Sequence, residues 1–235
     1  FGYNEIRTPI IEEAGLFNRG IGGNTDIVSK EMYSWVDRDN TTIALRPEMT
    51  ASVVRSFIQH SLGSQSSLQR LYYMGPSFRR ERPQKGRSRQ FHQSSVEVFG
   101  IEGSEIDAEI IKLSSRLWKR LGIEDNVYLE INSIGNESTR LRYTEDLLKY
   151  FQPLKDQLDE DILKKLNDNP LRVLDSKSER IKSLLKAAPK ISDYLDEDSE
   201  AHFKKLMTLL DSLGVSYDVN PKLVRGLDYY NKTVF

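Results

Sequence analysis

The chain has 235 residues, 38% of them hydrophobic and 29% charged, the composition of an ordinary soluble globular protein with room for one large domain or a domain carrying an insert. Lys and Arg total 34 against 35 Asp and Glu, so net charge selects no partner; the absence of cysteine excludes disulfides and thiolate metal sites and fits a cytoplasmic protein. No apolar run approaches the ~18 residues of a membrane span, and Glu5 and Arg7 interrupt the opening FGYNEIRTPI, which is therefore not expected to be a signal peptide.

Taken in order, MYSWV and TIALR flank the turn-forming cluster Asp37-Arg38-Asp39-Asn40, which predicts a hairpin within residues 31–47. Thr50 is placed to cap a helix whose apolar face is Val54, Phe57, Ile58 and Leu62, ended by Gly63. QRLYYMG (69–75) and SSVEVFG (94–100) read as two strands joined by a long basic loop. Ile106, Ile110, Leu113, Leu117 and Leu121 step by three and four, with Gly122 beyond them, the pattern of an amphipathic helix. VYLEI (127–131) reads as a short strand. Between Gly135 and Gly214 glycine is absent, Lys, Asp, Glu and Leu dominate and helical spacing recurs, so residues 136–214 read as a helical insertion module between a first core segment, 1–135, and a return segment, 215–235. VSYDV, KLV and YYNKTVF restore strand character after Gly214. With no regular strand-helix-strand alternation, the expected class is α+β with a mainly antiparallel sheet. The opening Phe-Gly-Tyr and the closing YYNKTVF read as the ends of a piece of a longer protein.

The loop in FRRERPQKGRSRQFHQ (78–93) sets Arg79, Arg80, Arg82, Lys85, Arg87 and Arg89 against Glu81 alone. Such clustering repels itself unless anions sit there, and guanidinium forks match phosphate oxygens. Pro83 and Gly86 shape the loop, Phe91 offers a ring for a nucleobase, and Gln93 and Glu97 share strand parity and hence a face. Neither GxxxxGK[ST] nor GxGxxG occurs, so a bound nucleotide would be held by side-chain cations on a sheet. A solvated basic loop is the plainer account of residues 79–89. Glu97 can equally be the polar face of a strand, and Tyr229 and Tyr230 ordinary strand aromatics.

FRRE (78–81) resembles the arginine-bearing second motif of class II aminoacyl-tRNA synthetases, and GPSFRRERPQKGRSRQFHQSSVEVFG (75–100) resembles the histidyl-tRNA synthetase version of it. LRPEMT (45–50) resembles that family's amino-acid-binding turn, LVRGLDYYNKTVF (223–235) its histidine-specific segment, and FGYNEIRTPIIE the latter half of the first, dimer-forming motif. The resemblance runs through the chain in order and is weakest in 140–212. It implies a class II catalytic fold and ATP-dependent conversion of L-histidine to histidyl-adenylate, followed by transfer to tRNA(His). Arg79 and Arg225 would hold the α-phosphate and the incoming carboxylate. Glu48, Met49, Thr50 and Gln93 would surround the histidine amino group, and Glu97, Tyr229 and Tyr230 the imidazole. Glu81, Arg87 and Phe91 would serve ATP, with Phe91 stacked on adenine. Arg80, Arg82, Gln84 and Lys85 are candidate contacts to the tRNA acceptor stem.

The resemblance also implies magnesium arriving with ATP, a homodimer and no membrane association. His60, His92 and His202 lack ligand spacing, so no protein-bound zinc is expected. Met49 stands where relatives often carry glycine, and Ser94-Ser95 also departs from the expected pair. The third motif and the anticodon-binding domain are absent from these 235 residues, which predicts weak activity of the chain alone. A non-catalytic relative, either a regulatory subunit of histidine biosynthesis or a tRNA sensor, is the leading alternative; an RNA-binding sheet domain is a third. Trp35 and Trp118 are expected in a core or an interface.

Overall fold

The computed structural model describes residues 1–23, 25–225 and 229–235. They form two compact bodies: residues 1–102 joined by Tyr229, and residues 103–225 with 230–235. Gly226, Leu227 and Asp228 of the RGLDYY string lie outside the described residues.

The first body contains two three-stranded sheets. In one, β1 (Asn4–Glu5) runs parallel to β5 (Gln69–Phe78), which pairs antiparallel with β6 (Gln90–Phe99); in the other, β4 (Thr42–Leu45) lies between β2 (Ile11–Glu13) and β3 (Ser34–Val36). The predicted hairpin is present: Asn40 takes a left-handed φ of 66°, and the Asp37 and Asp39 side chains accept from the backbone N–H groups of Arg38 and Thr41 at 2.9 Å. β5 and β6 extend further toward the basic loop than predicted, in register from Gln69↔Phe99 to Phe78↔Gln90. Helix α1 (Ala14–Ile21) buries Ala14, Phe17 and Ile21 against Ala44 and Ala51, a stripe at helical spacing.

Arg46 closes the joint between the sheets. It is 5% exposed, and it donates from Nε to the Pro76 carbonyl at 2.8 Å and from Nη1 to the Thr8 carbonyl at 2.9 Å. A Cβ at Gly75 would lie 2.7 Å from its Nη2, so a larger residue there would displace the guanidinium.

Helix α2 (Thr50–Gln59) corrects two expectations. Its buried residues are Ala51, Ser52 and Val53, whereas Val54 is 37% and Ile58 70% exposed. The helix ends before Gly63, which falls in the short α3 (Leu62–Gln65), and Thr50 does not cap it. Glu48 does, accepting from the N–H groups of Thr50 at 2.7 Å and Ala51 at 2.9 Å. The apolar spacing was read over the wrong arc because the helix turns its small residues, not its large ones, toward the core. Trp35, 42% exposed, is not a core residue.

In the second body, α4 (Ser104–Leu121) ends at a left-handed Gly122 as predicted, although Leu117 and Leu121 are exposed while Ala108 and Ile111 are buried. β7 (Glu130–Ser133) starts later than predicted and lies between parallel β8 (Asp218–Val219) and antiparallel β9 (Thr233–Val234). KLV (222–224) is a turn and coil rather than a strand. Four helices follow β7: α5 (Glu137–Phe151), α6 (Glu160–Asp168), α7 (Glu179–Leu184) and α8 (Glu197–Ser212). Asn136, Asp159 and Asp196 cap α5, α6 and α8 through their side-chain oxygens. The helices divide between two cores. One gathers Tyr143, Leu147, Phe151, Ile162, Leu166 and Ile191; the other joins Leu206 and Leu210 of α8 to Ile111 of α4 and Ile131 of β7. His202 pairs with Asp107 at 2.8 Å across α8 and α4. Of the six strand pairings among the described residues four are antiparallel, matching the expected mainly antiparallel α+β class. Among the described residues, no helix is long and apolar enough to cross a membrane.

Candidate active site

The β5–β6 ribbon puts its odd-numbered residues on one face. Leu71 pairs with Glu97, Tyr73 with Ser95, Gly75 with Gln93 and Ser77 with Phe91, and paired residues share a side. On β6 that face is partly buried at Phe91, Gln93, Ser95 and Glu97, while His92 and Ser94 are exposed. The expected common face of Gln93 and Glu97 is therefore present.

The start of α2 meets this face. Thr50 Oγ1 and Tyr73 OH each donate to Glu97 Oε1 at 2.8 Å, and the two hydroxyl oxygens are 3.1 Å apart. Glu48 is 4% exposed and satisfied by backbone donors. Burial pushes the Glu48 carboxyl above its ordinary value, against the pull of the Ala51 and Thr50 donors and Arg79. Burial likewise raises Glu97, opposed by the Thr50 and Tyr73 hydroxyls and reinforced by the charge of Glu48. Tyr73 is 3% exposed, and burial followed by the nearby Glu97 charge drives its phenol well above its usual value. Gln93 Oε1 is buried with no hydrogen-bond partner among the described residues, an acceptor whose desolvation is uncompensated.

Met49 is 2% exposed and packs with Val53, Leu71 and Tyr73, so its side chain serves the core beneath the turn. Arg79 extends from the end of β5, donates from Nε to the Pro47 carbonyl at 2.9 Å and places its guanidinium 5.2 Å from the Phe91 ring centroid. The ring assigned to adenine thus stands beside a cation in this structure, a geometry that suits stacking a planar guanidinium on an aromatic face. Glu81 Oε2 receives Arg87 Nη1 at 3.2 Å, and its Oε1 lies 4.0 Å from Arg79 Nη1.

The basic stretch is itself a narrow hairpin. Arg79 N–H donates to Arg89 O at 2.9 Å, and Gln84 and Arg87 exchange backbone bonds at 3.1 and 2.9 Å around Lys85 and Gly86, whose φ is 79°. Arg80, Arg82, Gln84, Lys85, Arg87 and Arg89 are all exposed along it. The isolated Gln84–Arg87 bridge and the Arg79–Arg89 bond hold the segment extended, which spaces its cations and lowers their mutual repulsion relative to a collapsed loop.

Tyr229, 39% exposed, helps wall an apolar cavity of about 450 Å³ between α1 and α2, with Leu16, Ala51, Val54 and Ile58. Of these, Val54 and Ile58 are exposed residues of α2 whose spacing had predicted an inward face. Arg225 is exposed and Tyr230 is half-buried against the α5-centred core, both within the second body. The first body thus brings together Glu48, Met49, Thr50, Arg79, Gln93 and Glu97. Tyr73 was missed by sequence reading, though QRLYYMG carried the signal: a buried glutamate on β6 needs donors, and the tyrosine two residues past its partner Leu71 shares its face.

A family model described as histidyl-tRNA synthetase matches residues 1–235. The crystal structure of apo S. aureus histidyl-tRNA synthetase is 37% identical with a TM-score of 0.73, over 98% of this chain and 52% of that one. An ATP phosphoribosyltransferase regulatory subunit/histidyl-tRNA synthetase from Bacillus halodurans is 23% identical with a TM-score of 0.62, over 99% of this chain and 62% of that one, a likeness of fold alone. The architecture is the class II aminoacyl-tRNA synthetase fold. Within that class, the full-length family match and the S. aureus likeness show that the chain belongs to the histidyl-tRNA synthetase family. It spans about half the length of the S. aureus protein.

Proposed function

We propose that this chain supplies the histidine- and ATP-binding surface of a histidine–tRNA ligase, which activates L-histidine as histidyl-adenylate and transfers it to tRNA(His). The reading is carried by one observation: a carboxylate held at one oxygen by two hydroxyls, on the same strand face as the unpartnered acceptor of Gln93. Histidine offers an ammonium and a ring with one donor and one acceptor nitrogen, and these groups complement it. A pocket built from buried polar groups rejects apolar amino acids strongly, because binding them leaves its own groups unpaired.

In the proposed reaction a carboxylate oxygen of histidine forms a bond to the α-phosphorus as the bond to the bridging oxygen breaks and pyrophosphate leaves. Arg79 and Arg225 would screen the charge that builds there. Glu48, Thr50 and Gln93 would hold the ammonium; Glu97 and Tyr230 would read the imidazole, with Tyr229 beside them. Arg87, paired to Glu81, would meet the outer phosphates, and Phe91 would stack on adenine. Magnesium would enter as the counter-ion of ATP. The exposed cations of the hairpin, with Gln84, suit the phosphates of a tRNA acceptor stem, and a homodimer is part of the same proposal.

Calorimetry of the chain with histidine, lysine and proline tests this reading: histidine should bind and the others should not. Absence of a histidine preference would remove it and leave an RNA-binding domain. Pyrophosphate exchange then separates ligase from regulatory relative, since histidine binding without exchange in a protein carrying the whole catalytic domain would favour the latter.

A further inference from the structure

We propose that Tyr73 is a positioning and specificity-determining residue: it fixes Glu97 so that one carboxylate oxygen is fully engaged and the other is left for the imidazole N–H. The inference rests on the histidine-binding reading above and adds to it a residue outside the motif positions on which that reading was built.

Each hydroxyl, Thr50 Oγ1 and Tyr73 OH, carries a single proton, and three oxygen–oxygen contacts join the cluster. The two contacts to Glu97 Oε1 are 2.8 Å and the Thr50–Tyr73 contact is 3.1 Å. Short bonds to the carboxylate and a longer separation between the hydroxyls are what results when both protons point at Glu97 and none lies between the donors. Glu97 Oε2 makes no hydrogen bond among the described residues. The cluster therefore presents one saturated oxygen and one open oxygen, and Tyr73 decides which is which.

Tyr73 is rigidly held for this task. Its ring is 3% exposed in a core with Met49, Val53 and Leu71, and its hydroxyl reaches diagonally from β5 to β6. Among the described residues, the groups that bear electrostatically on Glu97 are Thr50 from α2, Tyr73 from β5 and Glu48 from the turn before α2. Burial and Glu48 favour the protonated acid, whose O–H is a donor and a poor match for an imidazole N–H, and the two hydroxyls favour the carboxylate. Removing one hydroxyl tilts that balance toward the acid. Tyr73 thus keeps Glu97 able to accept the imidazole proton, beyond merely orienting it.

The test is Tyr73→Phe, which keeps the buried ring and deletes only the hydroxyl. Histidine affinity, measured by calorimetry against pH, should fall roughly 10-fold near neutrality, with the acid limb of the binding profile moved to higher pH. The limb should move equally for triazolylalanine, an analogue whose ring stays unprotonated over the range, which assigns the shift to the protein. ATP affinity and the urea midpoint should stay close to the parent, a split that a general structural role would not give. A parent chain that binds histidine selectively beside a Tyr73→Phe chain with the same affinity and pH profile would overturn the inference while leaving the functional reading standing. Failure of the parent to select histidine would remove that reading itself. Should the variant lose its cooperative unfolding, Thr50→Val deletes the other donor to the same oxygen and is expected to move the acid limb in the same direction; an unmoved limb there contradicts the proposal.

Discussion

Of the carboxylates at helix N-termini in this molecule, Glu48 and Asp196 behave in opposite ways. Glu48 precedes α2 and accepts from two backbone N–H groups; Asp196 caps α8 and accepts from the Ser199 N–H at 2.7 Å. Glu48 is 4% exposed and burial raises its carboxyl, whereas hydrogen bonding from Ser199 holds the solvent-facing Asp196 below its usual range. Local geometry is shared, so the difference lies in water. At α8 a carboxylate meets a helix dipole at a desolvation cost that its hydrogen bonds outweigh, which is ordinary capping. At α2 the fold accepts a desolvated carboxylate whose charge raises a second buried one, Glu97, further. Such unfavourable placement persists where a site needs it.

Substitutions should separate the two. Glu48→Ala strands two buried N–H groups and is expected to cost about 3 kcal/mol in urea unfolding, together with loss of measurable histidine binding. Asp196→Ala should cost about 1 kcal/mol and leave histidine affinity unchanged; a loss of binding there would erase the distinction. The pH dependence should differ in sign. Glu48 and Glu97 are raised above the ordinary 4.5, so the folded chain takes up their protons first as pH falls. Their contribution is fully present below 4.5 and is lost as pH rises through the folded value. Asp196 is lowered from 3.8, so its contribution is present above that value and lost as pH falls through the folded one. Stability measured against pH for the parent, Glu97→Gln and Asp196→Asn should show each term vanish with its own carboxylate. The smallest effect is expected at the hairpin tip: Lys85→Ala should leave stability within about 0.5 kcal/mol and flatten the salt dependence of tRNA binding by roughly one unit of slope.

The fold was legible where local chemistry is decisive. The Asp-Arg-Asp-Asn turn, the αL glycine after Leu121 and the β5–β6 parity all follow from short-range rules, and each is present. The orientation of α2 was not legible, because Ala51, Ser52 and Val53 face the core for reasons of close approach: a Cβ on Gly20 of α1 would stand 3.3 Å from the Ala51 Cβ. Periodicity weighs large residues and misses a face chosen for being small. Within the candidate site, the common face of Gln93 and Glu97 was legible, but the contact of Tyr73 with Glu97 was not, since it is a hydrogen bond across 24 residues. The cap by Glu48 escaped for a similar reason: threonine at the helix start is the usual cap, yet here its hydroxyl is engaged by Glu97.

A structure of the chain with bound histidine tests the central claim most directly. The account predicts an imidazole nitrogen within hydrogen-bonding distance of Glu97 Oε2, the ammonium at the Gln93 side-chain oxygen, and the Thr50 and Tyr73 hydroxyls still on Oε1. Histidine seated elsewhere, or with its ring turned away from Glu97, would contradict it.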